Sequence, residues 1–527
     1  MSGDKRSGVR RGSAMLMVAA ALLCACLAPA FADAPSIEND TYFIDGQETL
    51  KARRAVTPNT RRARNVILFV ADGMDVTTTT AARIYDGQSR GEEGEENVLS
   101  FERFPYVALS KTYNTDAQTP DSAGTMSAMV TGVKTRIGVV SLTKEATRGD
   151  CESARTMTAP TILELAEAAG MATGVVSTAR LTHATPAAGY AHTPNRNWER
   201  DSAMPAAARD AGCRDIARQL IEFPYGDGID VAMGGGRSNF LPEAATDPED
   251  ADEKGLRKDG RDLMAEWRVK SPEHTTVVDR AGFDAIDPTR DPRVLGLFER
   301  SHMEYELDRA NDIGGEPSLE EMTVTAIDIL ARAKKGYVLV VEAGRVDHAH
   351  HAGNAKRALA DAQEYAEAVG AAVERVSLRD TLIIVTSDHG HTFHFAGYPA
   401  KGNDILGLVK TPVDPGDADS ALSLTKAADG RPYTTLGYGN GPGSVITRLD
   451  AQGRRPLITE VMARANGYLQ DAAVPLGSET HGGQDVAIYA TGPRAYLLGG
   501  VVEQSYIFHV IDDALALRKR AKGGRSK

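Results

Sequence analysis

Five side chains able to bind a metal ion fall within the ten residues 342-EAGRVDHAHH-351, directly after the apolar run 337-YVLVV-341. Such a run, flanked by Gly336 and Gly344, reads as a buried strand of a parallel sheet. Acidic and imidazole groups at its carboxyl end would enter the crevice where open α/β sheets keep their ligands. Asp347 and His351 are four residues apart, so a helical turn places both on one face, where they can share an ion. A solvated polar loop is the other reading of this segment taken alone. Two more runs end alike: 67-ILFVAD-72 in Asp72, and 383-IIVTSDH-389 in Asp388 and His389. A single Asp-Gly after a strand is ordinarily a turn. Three such ends at one sheet edge call for a cation, because crowded carboxylates must share protons or bind metal. In 478-SETHGGQDVAIYA-490, His481 precedes another strand and reads equally as a ligand or as an ordinary polar residue.

Ser122, in 119-TPDSAGTMSAMVTGVKT-135, is the nucleophile candidate. Pro120 and Asp121 end what precedes, and the small residues that follow suit a tightly packed helix. At a helix N-terminus Ser122 would meet free N–H groups and a dipole that favour an anion; it could also simply cap the helix. No G-x-S-x-G elbow is present, which disfavours an ordinary hydrolase triad. A serine without a neighbouring histidine base needs another activator, and metal coordination is the one available.

The elements that must position these groups alternate along the chain. Strands are expected at 65–73, 105–112, 171–178, 228–235, 337–344, 380–390 and 485–493, and helices at 121–132, 160–170, 212–222, 318–334, 354–376 and 505–519. The alternation predicts an α/β fold with a large, mostly parallel central sheet flanked by helices. Residues 33–62 are polar and basic and read as an arm or irregular lead-in. Residues 236–300, rich in Asp, Glu, Arg and Pro, read as a surface excursion, and 393–478 as a loop-rich functional insertion. The tail 518-RKRAKGGRSK-527 reads as solvated, without a lipid-anchor signal.

At 527 residues, 42% of them hydrophobic, the chain can bury a large core, and its net charge of -12 argues against a nucleic-acid partner. Lys5, Arg6, Arg10 and Arg11 precede the apolar run 14–32, which ends Ala30-Phe31-Ala32. That pattern predicts a cleaved signal peptide, residues 1–32, and an exported protein, periplasmic or secreted, with no membrane span after cleavage; a retained anchor is the alternative. Cys151 and Cys213 are the two cysteines outside that segment, and in an oxidising compartment they would form either a disulfide or two buried thiols.

Taken together, 67-ILFVADGM-74, 104-FPYVALSKTYN-114, 120-PDSAGT-125, 178-TARLTHATPAAGYAH-192, 341-VEAGRVDHAHHAGNAKRAL-359, 386-TSDHGH-391 and 480-THGGQDVAIYA-490 resemble the alkaline phosphatases, the animal-type branch more than the enteric bacterial one. The resemblance covers nearly all of residues 33–527 and implies hydrolysis of phosphate monoesters through a phosphoserine on Ser122, in a homodimer. It implies two zinc ions, one on Asp347, His351 and His481, the other on Asp388, His389 and Asp72. A magnesium would take Asp72, Thr185 and Glu342, and Arg196 would clamp phosphate through its planar fork. His183, His348 and His391 would support these groups without ligating zinc. The resemblance also implies a Cys151–Cys213 disulfide, a crown formed by 393–478, and a peripheral calcium site at Glu249, Phe298, Glu299 and Glu316, where the chain is altered between Glu299 and Glu316. A phosphodiesterase or sulfatase of the same superfamily and a non-catalytic exported metal-binding protein are the rivals. The absent x-Pro-x-Arg after Ser122 and the presence of Thr185, Glu342 and Arg196 weigh against them.

Overall fold

Strands β1 (Asn65–Ala71), β7 (Tyr337–Ala343) and β8 (Thr381–Ser387) are buried along almost their whole length. Apolar on both faces, they need a helical layer on each side. The computed structural model describes residues 37–290, 292–414 and 420–524. In it these strands lie at the centre of a ten-stranded sheet with β2 (Tyr106–Lys111), β3 (Ala172–Arg180), β4 (Val231–Gly235), β5 (His274–Val277), β6 (Arg293–Leu297), β9 (Val486–Thr491) and β10 (Gly500–Glu503). The order is β10-β2-β9-β8-β1-β7-β3-β4-β6-β5. Only β9 runs antiparallel to its neighbours.

The twofold alternation of β1 divides the core. Val66, Leu68 and Val70 pack with the helices Ser122–Thr131, Ile162–Ala168, Ile216–Ile221 and Tyr506–Leu515. Ile67, Phe69 and Ala71 face Val76–Ser89, Leu319–Leu330 and Ala355–Arg375. Each expected strand is present, and the sheet is mostly parallel as its apolar runs require.

Four expectations are corrected. Residues 236–300 are no surface excursion: they supply β5 and β6 and bury Arg237 and Arg257 completely. Arg237 pairs with Asp247 at 2.7 Å and Arg257 with Asp215 at 2.9 Å, so charges that look solvated in sequence are ion pairs turned inward. Residues 33–62 include a regular helix, Thr41–Ala55, capped by Asp40 and without a buried residue; it belongs to a separate unit ending at Thr57. The closing helix breaks at Ala516 (φ 53°), and a second helix, Leu517–Gly524, takes in the start of the basic tail, with Leu517 and Ala521 buried. In the 393–478 insertion, read as loop-rich, a three-stranded sheet forms from Phe393–Phe395, Leu436–Gly441 and Ala472–Pro475, and Glu460–Ala463 is a short helix. The expected signal peptide lies outside the described residues.

Candidate active site

Parallel strands deliver their carboxyl ends to one edge, so β1, β3, β7 and β8 all unload there. Val70 of β1 pairs with Glu342 on one side and Thr386 on the other, which brings Asp72 and Asp388 level. The antiparallel β9 enters at the same edge, so its contribution, His481, comes before the strand rather than after it. Gly73 turns the chain sharply away from Asp72 at φ 76°, and a Cβ there would collide with the His391 ring. Asp347 and His351 lie on the helix Arg345–His351, one turn apart as expected.

Three groups of ligand-type atoms converge. In the first, His481 Nε2 and His351 Nε2 are 3.0 Å apart, and each is 3.3 Å from Asp347 Oδ1. The Nδ1 of His481 donates to the Pro120 carbonyl at 2.8 Å and that of His351 to the Glu479 carbonyl at 2.6 Å. Rings fixed in this way aim both Nε2 atoms at Asp347 Oδ1 and at each other, an arrangement that a shared cation makes favourable. In the second, His389 Nε2 lies 3.2 Å from Asp72 Oδ1 and 3.4 Å from Asp388 Oδ2. In the third, Thr185 Oγ1 is 3.4 Å from Asp72 Oδ2, and Glu342 and His183 close the group. Glu342 accepts a hydrogen bond from Ser177, while its Oε1 is buried without a partner. These are donor sets that metal ions take: imidazole with carboxylate in the first two groups, and mostly oxygen in the third, where His183 is the one nitrogen.

Electrostatics give the same reading. Burial and the neighbouring Asp388, Asp347 and Glu342 push Asp72 well above the carboxylate range, and burial likewise raises Asp388. Glu342 is pushed up to about 8, chiefly by burial. Burial would raise Asp347 too, but His351, His391 and His481 outweigh it and hold the group well below its ordinary value. Carboxylates so placed must take up protons or be neutralised by cations.

Ser122 opens its helix, but Asp121 is the cap, accepting from Gly124 N at 3.2 Å. The Ser122 hydroxyl instead faces Asp72 Oδ1 at 3.3 Å and His389 Nε2 at 3.2 Å, so the capping reading is set aside. Asp121 also anchors Arg196, whose Nη1 donates to Asp121 Oδ2 at 3.0 Å and whose Nη2 donates to His183 Nε2 at 3.0 Å. His348 packs edge-on to His183, with ring centroids 5.4 Å apart. His391 bridges Asp347 Oδ1 at 2.9 Å and Glu479 Oε2 at 2.6 Å, and these two carboxylates, outweighing burial, raise it to about 10.

Glu479 was not anticipated; the only sequence signal was a carboxylate two residues before His481. Asp121 was read as a strand stop and not as an anchor. His350, one of the five ligand-type side chains of 342–351, is fully buried and turned to other partners, with Nε2 3.1 Å from Thr78 Oγ1 and Nδ1 2.9 Å from the Tyr438 hydroxyl. Cys151 and Cys213 form the expected disulfide. Around the expected calcium site, burial and mutual repulsion push Glu299 to about 8 and Glu316 to about 9, and Asp312 joins them unpredicted. Arg237 occupies the other two members, donating to the Phe298 carbonyl at 3.0 Å and to Glu249 Oε2 at 2.6 Å.

The family model for alkaline phosphatase matches residues 63–517. The tissue-nonspecific alkaline phosphatase isozyme of Rattus norvegicus is 44% identical over 493 residues, 92% of this chain and 90% of the relative. The alkaline phosphatase of Gadus morhua is 45% identical over 472 residues, 88% of this chain and 94% of the relative. Among solved structures, Thermus thermophilus alkaline phosphatase superposes with a TM-score of 0.60 at 25% identity, covering 91% of this chain and 98% of that one.

Proposed function

The chain belongs to the alkaline phosphatase family, and we propose that it hydrolyses phosphate monoesters through a covalent phosphoserine on Ser122. The observation that carries this reading is the Ser122 hydroxyl set between Asp72 and His389, with the Arg196 guanidinium held alongside by Asp121. Asp347, His351 and His481 would hold one zinc, Asp72, Asp388 and His389 a second, and Asp72, Thr185 and Glu342 a magnesium. Bound there, the ions supply Lewis-acid stabilisation of charge on the entering and departing oxygens. Ser122 Oγ attacks phosphorus as the ester oxygen leaves with the alcohol, and water then cleaves the phosphoserine to release inorganic phosphate. Arg196 pairs two equatorial phosphoryl oxygens, so its positive charge meets the charge that develops in transfer. Its own position is fixed beforehand by Asp121 and His183, which leaves little to reorganise during the reaction.

The reading extends to an exported homodimer. Its support is the basic and apolar run of residues 1–32, the Cys151–Cys213 bridge, and the family resemblance. Among the described residues no helix is long and apolar enough to cross a membrane. A peripheral calcium ion would fall to Glu299 and Glu316 with Asp312, because Arg237 already takes the other two expected members, Glu249 and the Phe298 carbonyl.

The test compares an aryl phosphate monoester with the matching diester at alkaline pH, before and after chelation and with zinc and magnesium add-back. Monoester turnover abolished by chelation and restored by those two metals is the expected result. Diester preference would move the chain to a phosphodiesterase reading, and no turnover with metals bound would make it a binding protein.

A further inference from the structure

Behind the Arg196 guanidinium stands a network that the family resemblance did not lead us to expect. His302 lies in the loop after β6, seated against the end of β3: Met303 N donates to the Thr178 carbonyl at 3.0 Å. Gly235 allows that approach, since a Cβ there would strike the Ser301 carbonyl. Both ring nitrogens of His302 approach Arg180, Nδ1 at 3.2 Å from its backbone N and Nε2 at 2.5 Å from Nη1; both partners are donors, so the neutral ring accepts at one of them. Arg180 is itself locked by a two-pronged pair with Glu199, both contacts at 2.8 Å, and Glu199 accepts further bonds from Thr182 at 2.6 Å and Asn239 at 3.0 Å. From this fixed base the His302 ring lies against His348, with centroids 4.0 Å apart, and edge-on to His183 at 5.4 Å.

His183 is the group these contacts orient. Its Nε2 must present a lone pair to Arg196 Nη2, and a ring rotated out of this plane would leave that guanidinium with Asp121 alone. His183 and His348 are both half-buried; His348 Nδ1 also lies 3.3 Å from Arg345 Nη1, and ring packing adds to what these bonds fix. We propose that His302 is a positioning residue for phosphate binding: through His348 and His183 it holds Arg196 at the angle at which its fork meets the phosphoryl oxygens. The contacts of His302 are to Arg180, His348 and His183, the last of which borders the third ligand group, and its effect on phosphate passes through Arg196. This rests on the reading of Arg196 as the phosphate-binding arginine.

The experiment is a double-mutant cycle on the metal-loaded enzyme. Inhibition by inorganic phosphate and KM for an aryl phosphate are measured for wild type, His302→Ala, Arg196→Ala and the double variant, with His302→Phe as the ring-retaining control. His302→Ala should raise both Ki and KM by about three- to tenfold, with metal content and melting temperature unchanged; one such decade is about 1.4 kcal/mol. His302→Phe should restore most of the loss, and His302→Ala should add nothing once Arg196 is Ala. A wild-type Ki in His302→Ala, or a full additional loss on the Arg196→Ala background, would overturn the proposal. An unchanged Ki in Arg196→Ala would instead overturn the role of Arg196 itself, so the two failures are distinguishable. Should His302→Ala fail to fold, His302→Phe and His302→Gln carry the same comparison: Gln lacks the ring and should show the loss, Phe should not.

Discussion

At Ser122 the hydroxyl and the helix cap are separate functions, because Asp121 supplies the cap. Ser122→Ala should therefore cost only about 1 kcal/mol of stability, the loss of a buried hydrogen bond, and reduce turnover by roughly a thousandfold or more. Acid quench after exposure to radiolabelled phosphate should trap no label on the variant, while metal content is retained; label on the variant would place the covalent intermediate elsewhere. Glu479 makes a different case. Its Oε2 accepts from His391 and its Oε1 from Thr392 N and Oγ1, each at 2.6 Å, so its carboxylate acts chiefly through His391 and Asp347, while its backbone carbonyl accepts from the proposed ligand His351. Glu479→Gln removes the charge that helps keep His391 protonated, and metal affinity should fall about 10- to 100-fold. Competition against a chromogenic chelator measures this, and unchanged retention would show that His391 holds Asp347 without help. The groups of ligand-type side chains were legible in the sequence because they cluster at strand ends. Glu479 and Asp121 were not, because a carboxylate that supports a ligand or an arginine has no spacing of its own.

Glu167 shows how an element can carry strain far from the site. It sits near the end of the Ile162–Ala168 helix, buried, with Oε1 accepting from Thr173 Oγ1 at 2.7 Å and Oε2 unpartnered. Burial, with Asp230 and Asp227 nearby, pushes it to about 9. The folded chain thus prefers Glu167 protonated. Its stabilising share is complete below the ordinary glutamate value of 4.5 and is lost as pH rises through about 9. Glu167→Gln keeps the acceptor and removes the ionisation, so it should melt above wild type at about pH 9, by an amount worth about 1–3 kcal/mol, and match it near about pH 5. Scanning calorimetry at both pH values decides, and equal melting at the higher one would refute it. At this scale the strands were readable because burial on both faces leaves unbroken apolar runs, as in β7 and β8. The 236–300 segment was misread because Arg237 and Arg257 pair inward, and composition cannot distinguish a buried ion pair from a solvated face. The break at Ala516 was invisible for another reason: alanine at φ 53° carries no turn signal.

For the molecule as a whole, the edge of the sheet gathers ligands from segments hundreds of residues apart, and one covalent link spans part of that path. The Cys151–Cys213 bridge closes 62 residues of chain that include β3, His183, Thr185 and Arg196. The middle of this stretch belongs to the main core, where Ile162, Leu163, Val175, Leu181 and Tyr190 are buried, but its ends rest on small satellite clusters: Ala154 and Met157 against Val139, Leu142 and Ala146, and Trp198, Met204 and Ala208 with Cys213. Few buried apolar side chains hold those ends in place, so the constraint on the unfolded chain matters more here than it would beneath the central strands. Replacing both cysteines by serine should cost about 2–4 kcal/mol. The loss should be local in its consequences. Asp347, His351 and His481 are delivered from outside the bridged segment, whereas Thr185 and Arg196 are delivered by it, so phosphate affinity should weaken before the first metal group empties. Melting with and without reductant, followed by phosphate inhibition and metal analysis on the double variant, separates the two effects. If melting is unchanged in reductant, the satellite clusters suffice without the bridge; if all metals are lost together with phosphate affinity, the edge unfolds as one unit and the bridged segment has no independent share in it.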